Sequence, residues 1–271
     1  MKLDERIKQD LTELFEGKEV SEARKLSCVI EVSAKGLPQH FVGNRDAKTV
    51  FVQLNPGQNV KKADEEFSSI TQKYDRISAE AFIKSYLDAK TNFGIEDKDR
   101  KDSFDVKQAA FLKYFEDSGI DIPDQFPSEK SDELCLQAKQ NVLMQKCQLE
   151  LIPYCSSKFK INKKNLESLM PFVETLVDEI FRVERKYVIF GSAIFADLFK
   201  KNQFKNFQVE FLKEDKIQPV KRSLIAQLIK ITKDGKSVNA VIACSFARQD
   251  ISHAYKVMSE YGKMCFELLK H

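Results

Sequence analysis

Apolar positions recur every three to four residues at the start of the chain. Leu3, Ile7, Leu11 and Leu14–Phe15 share one face, which predicts an amphipathic helix over 3–16. "SCVIEVS" and "KTVFVQL" then read as strands joined by the turn-rich "AKGLPQHFVGNRDAK". From about 62 to 118 the text is charged with helical periodicity. Ala79, Phe82, Ile83, Tyr86 and Leu87 form one apolar patch, and Ala109–Ala110, Leu112 and Phe115 form another. "KTNFGIEDKDRKDS" and "DSGIDIPDQFPSEKSD" read as loops. A helix over 131–145 leads into "CQLELIPYCSS", where Leu149, Leu151 and Ile152 predict a strand ending at Pro153-Tyr154. "NLESLMPFVETLVDEIFRVE" has apolar residues at 166, 169, 170, 173, 176, 177, 180 and 181, a helical stripe with Pro171 in its first turns. A strand "KYVIFGS" and a helix "AIFADLFKKN" follow. "RSLIAQLIKITKDGKSVNAVIACSFA" predicts a hairpin turning at Asp234-Gly235. The last helix runs from Asp250 or Ser252 to Leu269 and buries Ala254, Val257, Met258, Tyr261, Met264, Cys265 and Leu268.

"KTVFVQL", "QLELIPY", "KYVIFGS" and "NAVIACS" are short and almost wholly apolar, as strands covered on both faces are. Helices lie between the first three. The alternation predicts an α/β fold: a three-layer α/β/α sandwich around a mainly parallel four-stranded sheet, with an added hairpin and a helical insertion at about 62–135, all in one domain spanning 1–271. Ligands of such sheets sit outside the carboxyl ends of the strands. Those ends are Asn55-Pro56-Gly57, Pro153-Tyr154-Cys155-Ser156, Gly191-Ser192-Ala193 and Cys244-Ser245-Phe246-Ala247-Arg248. All are rich in small or polar residues, and they are expected to rim one cleft.

Composition narrows the class. With 42% hydrophobic and 31% charged residues in 271, the chain can bury a sizeable core and is neither fibrous nor disordered in character. No apolar run approaches the roughly 20 residues of a membrane helix. The opening "MKLDERIKQDLTELFEGKEV" has no signal-peptide core, so a cytoplasmic protein is expected. Cys28, Cys135, Cys147, Cys155, Cys244 and Cys265 form no CxxC, which predicts reduced, mostly buried thiols and no metal site. Three histidines, His40, His253 and His271, leave little for His-centred chemistry. The net charge of +3 means that any polyanion partner must rely on a local basic patch.

At the strand ends the residues resemble a known family. "AKTVFVQLNPG" is similar to the first strand and water-positioning loop of the uracil-DNA glycosylase-like superfamily, nearest to its mismatch-specific branch with a Gly-apolar-Asn-Pro-Gly turn. "FVGNRDAK" resembles the lead-in to that strand, and "KYVIFGSAIFADLF" resembles a later strand-Gly-helix element. "VIACSFARQDIS" occupies the place of the final Ser-containing loop, which contacts DNA and the extruded base. Three departures stand out. Gln53 replaces the motif's Gly, the final loop has no His, and no Asn closes "LELIPY".

The resemblance implies a monomeric DNA glycosylase without cofactor or metal. Such an enzyme extrudes uracil or a mismatched or damaged base and hydrolyses its N-glycosidic bond. Asn55 would orient the attacking water. Gln53, Pro56 and Gly57 would line the base site, with Gly57 allowing close backbone approach. Tyr154 would stack on the base, and Phe246 would stack or act as a wedge. Ser245 and Arg248 would bind phosphate. Lys158, Lys160 and Lys163, interleaved with Phe159 and Ile161, would follow the DNA backbone. Each feature also has a plain structural reading: Asn55-Pro56-Gly57 as a β-turn, Tyr154 and Phe246 as packing, Arg248 as a surface ion pair, His253 as a surface residue and the lysines as a solvated loop. The alternative function is a nucleic-acid- or nucleotide-binding protein of the same fold that does not excise.

Overall fold

In a computed structural model of the chain, residues 1–57, 60–63, 65, 78–88, 103–122, 133–157, 159–201, 204–218, 223–247 and 255–270 are described. Their elements run α1 (Leu3–Phe15), α2 (Ser21–Leu26), β1 (Phe41–Gly43), β2 (Thr49–Gln53), α3 (Ala79–Asp88), α4 (Ser103–Leu112), α5 (Glu133–Gln145) and β3 (Cys147–Glu150). A 3-10 helix (Lys163–Leu169) leads into α6 (Met170–Ile180). There follow β4 (Tyr187–Phe190), α7 (Ile194–Lys201), β5 (Gln208–Ile217), β6 (Leu224–Lys233), β7 (Lys236–Ile242) and α8 (Tyr255–Leu269).

The fold is α/β with one mixed seven-stranded sheet, in the order β1-β3-β2-β4-β7-β6-β5. This corrects the expected four-stranded sheet. β2, β4 and β7 are mutually parallel, with Phe51 opposite Ile189 and Ile189 opposite Val241. The β6–β7 hairpin continues the same sheet antiparallel, and β5 pairs with β6 to close that side. The hairpin turns at Asp234 and Gly235, both with positive φ, as a two-residue type I′ turn requires.

The chain divides into two compact units: Met1–Phe41, Leu54–Ala89 and Leu149–Arg182 form the first, and Val42–Gln53, Lys90–Gln148 and Val183–His271 the second. In the second unit, period-two alternation gives β2, β4 and β7 two apolar faces. Phe51, Ile189 and Val241 join a core cluster with Phe111 of α4 and Met258 and Tyr261 of α8. On the opposite face Phe190 meets Phe195 and Phe199 of α7, at ring centroid distances of 4.9 and 5.2 Å. α4 and α8 cross closely at Gly262, where a Cβ would stand 1.8 Å from the Phe111 carbonyl oxygen. In the first unit α1 buries Leu3, Ile7, Leu11 and Leu14. α6 buries Phe172, Val173, Leu176, Val177 and Ile180, with Pro171 in its first turn, where a missing N–H costs no helical bond.

Two sequence expectations fail locally. "SCVIEVS" is not a strand: after α2 the amides of Val29 and Ile30 both bond to the Leu26 carbonyl, forming a turn. Its apolar residues Ile30 and Val32 are buried from that turn and the extended stretch after it. Conversely β5, "QVEFLKEDKI", carries too much charge to be read as a strand. It is an edge strand with mostly exposed residues, so nothing demands an apolar pattern. Among the described residues no helix is long and apolar enough to cross a membrane.

Candidate functional site

The sequence-selected residues fall into the two units. In the second, β2 and β4 end side by side. One step beyond the pair Val52–Phe190, Gln53 stands opposite Gly191, whose amide donates to the Val52 carbonyl at 2.8 Å. The next strand continues the row, with the Ala243 amide donating to the Phe190 carbonyl at 2.8 Å. A Cβ at 191 would lie 2.7 Å from Gln53 Nε2 and closer still to Oε1, so a larger residue there would require the end of the Gln53 side chain to move. The end of the Gln53 side chain therefore lies against Gly191. Gln53 is 6% exposed, and its Nε2 has no hydrogen-bond partner among the described residues. Ser245 is half-buried, and its Oγ accepts from the Ala247 amide at 3.2 Å, holding the turn after β7. Phe246 is fully buried, with centroid distances of 5.4 Å to Phe51 and 5.3 Å to Phe111. In this conformation it is a core residue rather than a wedge.

In the first unit the segment after β2 is tied to the segment after β3. Ile152 N donates to Leu54 O at 2.9 Å, and Ser156 N donates to Pro56 O at 3.1 Å. Asn55 Nδ2 donates to Pro56 O at 2.9 Å and reaches Ser156 O at 3.5 Å. The amide nitrogen is thereby anchored to loop carbonyls, which fixes where Oδ1 points; Asn55 itself is half-buried. Pro56 is buried and Gly57 is exposed.

Tyr154, expected to stack on a base, is 1% exposed and presents no face to one. Its hydroxyl donates to Asp10 Oδ2 at 2.9 Å, and its ring meets Phe172 edge-on. Burial pushes the phenol well above its usual pKa, and the Asp10 carboxylate adds to the shift. Asp10 Oδ2 also lies 3.2 Å from His40 Nε2, close enough for an ion pair but without hydrogen-bond geometry. Around them Arg6 donates to Pro171 O and Thr175 Oγ1 and covers the Phe172 ring at 4.1 Å. Sequence reasoning missed this buried Arg6–Asp10–His40–Tyr154 group. Arg6 and Asp10 sit four apart on the buried face of α1, a polar break in an apolar stripe that marks it.

A second polar group also escaped the sequence. Lys146 is fully buried, and its Nζ donates to Asp105 Oδ1 at 2.7 Å, to Gln148 Oε1 at 2.9 Å and to Gln108 Oε1. Three acceptors match three donors, so this lysine is a structural tie of the second unit. Lys160 and Lys163 are exposed; Lys158, Arg248 and His253 lie outside the described residues. Cys147, Cys155, Cys244 and Cys265 are buried and Cys28 is exposed, each as a thiol rather than in a disulfide. Among the described residues no group of three or more His, Cys, Asp or Glu is disposed to hold a metal ion. One cleft of about 580 Å³ in the first unit is lined by Lys8 and Thr12 of α1 and Ala79, Ile83 and Leu87 of α3, and by none of the strand-end residues.

Known protein families, characterised proteins and solved structures offer no match to this chain.

Proposed function

We propose that this chain is a uracil-DNA glycosylase-like protein, a cytoplasmic monomer with a single α/β/α sandwich domain, which hydrolyses the N-glycosidic bond of uracil or of a mismatched or damaged base in DNA. The observation that carries this reading is Asn55. Its Nδ2 is anchored to the Pro56 and Ser156 carbonyls, leaving Oδ1 as a fixed acceptor able to hold one water by its proton. That water adds to the sugar C1′. The C1′–N bond breaks with its electron pair leaving on the base, and the water's proton passes to solvent or to the departing base. An Asn side chain takes up no proton, so the rate enhancement is smaller than a carboxylate base would give. Exposed Lys160 and Lys163 supply backbone contacts to DNA.

The test is a single-turnover assay on oligonucleotides carrying uracil, a thymine mismatch or an alkylated base. Abasic product is expected with the unmodified protein and is expected to vanish in Asn55→Ala. A second reading, binding without excision, is favoured by Gln53 in place of the motif's Gly and by a final loop that lacks a His. It predicts DNA or nucleotide binding with no abasic product on any substrate. Binding that is absent, or that does not weaken with salt, rejects DNA as the partner in either reading.

A further inference from the structure

We propose that Gln53 reads the ligand: its carboxamide pairs with the lactam edge of a nucleobase, donating from Nε2 to a ring carbonyl and accepting at Oε1 from the adjacent ring N–H. This rests on the reading above that the protein handles a nucleobase, but not on whether the base is excised. Two independent observations converge on it. The first is position. In the order β3-β2-β4-β7, the chain leaves β2 for β3 on one side and later returns to β4 on the other. β2 and β4 therefore flank the point where strand order reverses, and open α/β sheets hold ligands outside the carboxyl ends of such a strand pair. Gln53 and Gly191 are the residues at those two ends.

The second observation is chemical. Gln53 Nε2 is buried and has no acceptor among the described residues. Lys146 Nζ, another buried polar group of the same unit, is by contrast fully paired. A buried donor without an acceptor destabilises the fold. Gln227 Oε1 and Ser259 Oγ of the same unit are also buried without a hydrogen bond among the described residues, so what sets Gln53 apart is its place at the switch in strand order. Gly191 supplies the complementary sign: the chain gives up a side chain there, which leaves room for this amide. A carboxamide offers one donor and one acceptor side by side in a plane. A uracil, hypoxanthine or guanine lactam presents the matching pair, and purine riboside presents neither a carbonyl nor a ring N–H.

The experiment titrates the protein with uridine, inosine and purine riboside monophosphates and compares Gln53→Met and Gln53→Glu. Met matches the length of Gln without polar atoms, and Glu keeps the shape but loses the donor. The unmodified protein is expected to prefer the lactam nucleotides by about tenfold, the factor one neutral hydrogen bond sets. Gln53→Met is expected to lose that preference while melting at a higher temperature than the parent, because an unpaired donor has been removed. A merely structural Gln would give the opposite, a lower melting temperature. Gln53→Glu is also expected to lose the preference. If the parent prefers lactam nucleotides and Gln53→Met does so equally, the role of Gln53 is overturned while nucleobase binding stands. If the parent binds no nucleotide and no oligonucleotide, both fall.

Discussion

At the scale of single residues, the buried polar group of the first unit centres on Asp10. Asp10 is fully buried, accepts from Tyr154 and lies against His40. Replacing it with Ala removes the acceptor of the Tyr154 hydroxyl and the carboxylate beside His40 in a buried site. Losing one member of such a group costs roughly 3–5 kcal/mol. Tyr154→Phe deletes only the hydroxyl, and the cost is about 1–2 kcal/mol because the Asp10 oxygen is left unpaired. Urea denaturation of both variants checks the order; a larger loss in Tyr154→Phe than in Asp10→Ala would refute it. Asn55, Gln53 and Tyr154 all stood out in the sequence as polar or aromatic residues at strand ends. Their environments were not legible there. Nothing along the chain says that residue 10 waits for the hydroxyl of residue 154, a contact across 144 positions.

At the scale of elements, periodicity succeeded where one face had to be apolar. α1, α6, α7, β2, β4 and the β6–β7 hairpin lie where the alternation of apolar residues predicts them. It failed for β5, which pairs with β6 along its length through main-chain bonds and exposes most of its side chains. β5 is also guarded against pairing with other chains, by charge and by a register shift between Phe211 and Lys213. Gly262 illustrates what helix packing adds. In an isolated helix Gly262→Ala would gain about 1 kcal/mol of propensity. At the α4–α8 crossing the added Cβ has no space against the Phe111 backbone, which cannot yield as a side chain end does. The helices must separate, at an expected net loss of roughly 1–3 kcal/mol from overpacking. Thermal unfolding decides it: a variant as stable as the parent would show that the crossing is looser than the structure has it.

At the scale of the whole molecule, each unit holds a tyrosine whose phenol burial pushes well above its usual pKa: Tyr154 in the first, and Tyr261 in the second. Burial does the same to the Cys265 thiol. Folded-state pKa values above the unfolded ones favour the neutral forms, so this stability is intact below the unfolded values. It is lost as pH rises past about 9 for the thiol and about 10 for the phenols. The urea midpoint is therefore expected to decline steeply in alkali, and Tyr154→Phe should blunt that decline; a midpoint flat to high pH would contradict both burials. The sequence by itself determined the class of fold, the identity of the apolar strands and the small, polar character of their ends, because burial on two faces and turn chemistry are written in local residue types. Only tertiary structure decided that seven strands share one sheet, that β2 and β4 are neighbours, and that Gln53 faces a glycine across them. Strand order and partner choice are set by contacts between segments far apart in the chain, where no local pattern of residues records them.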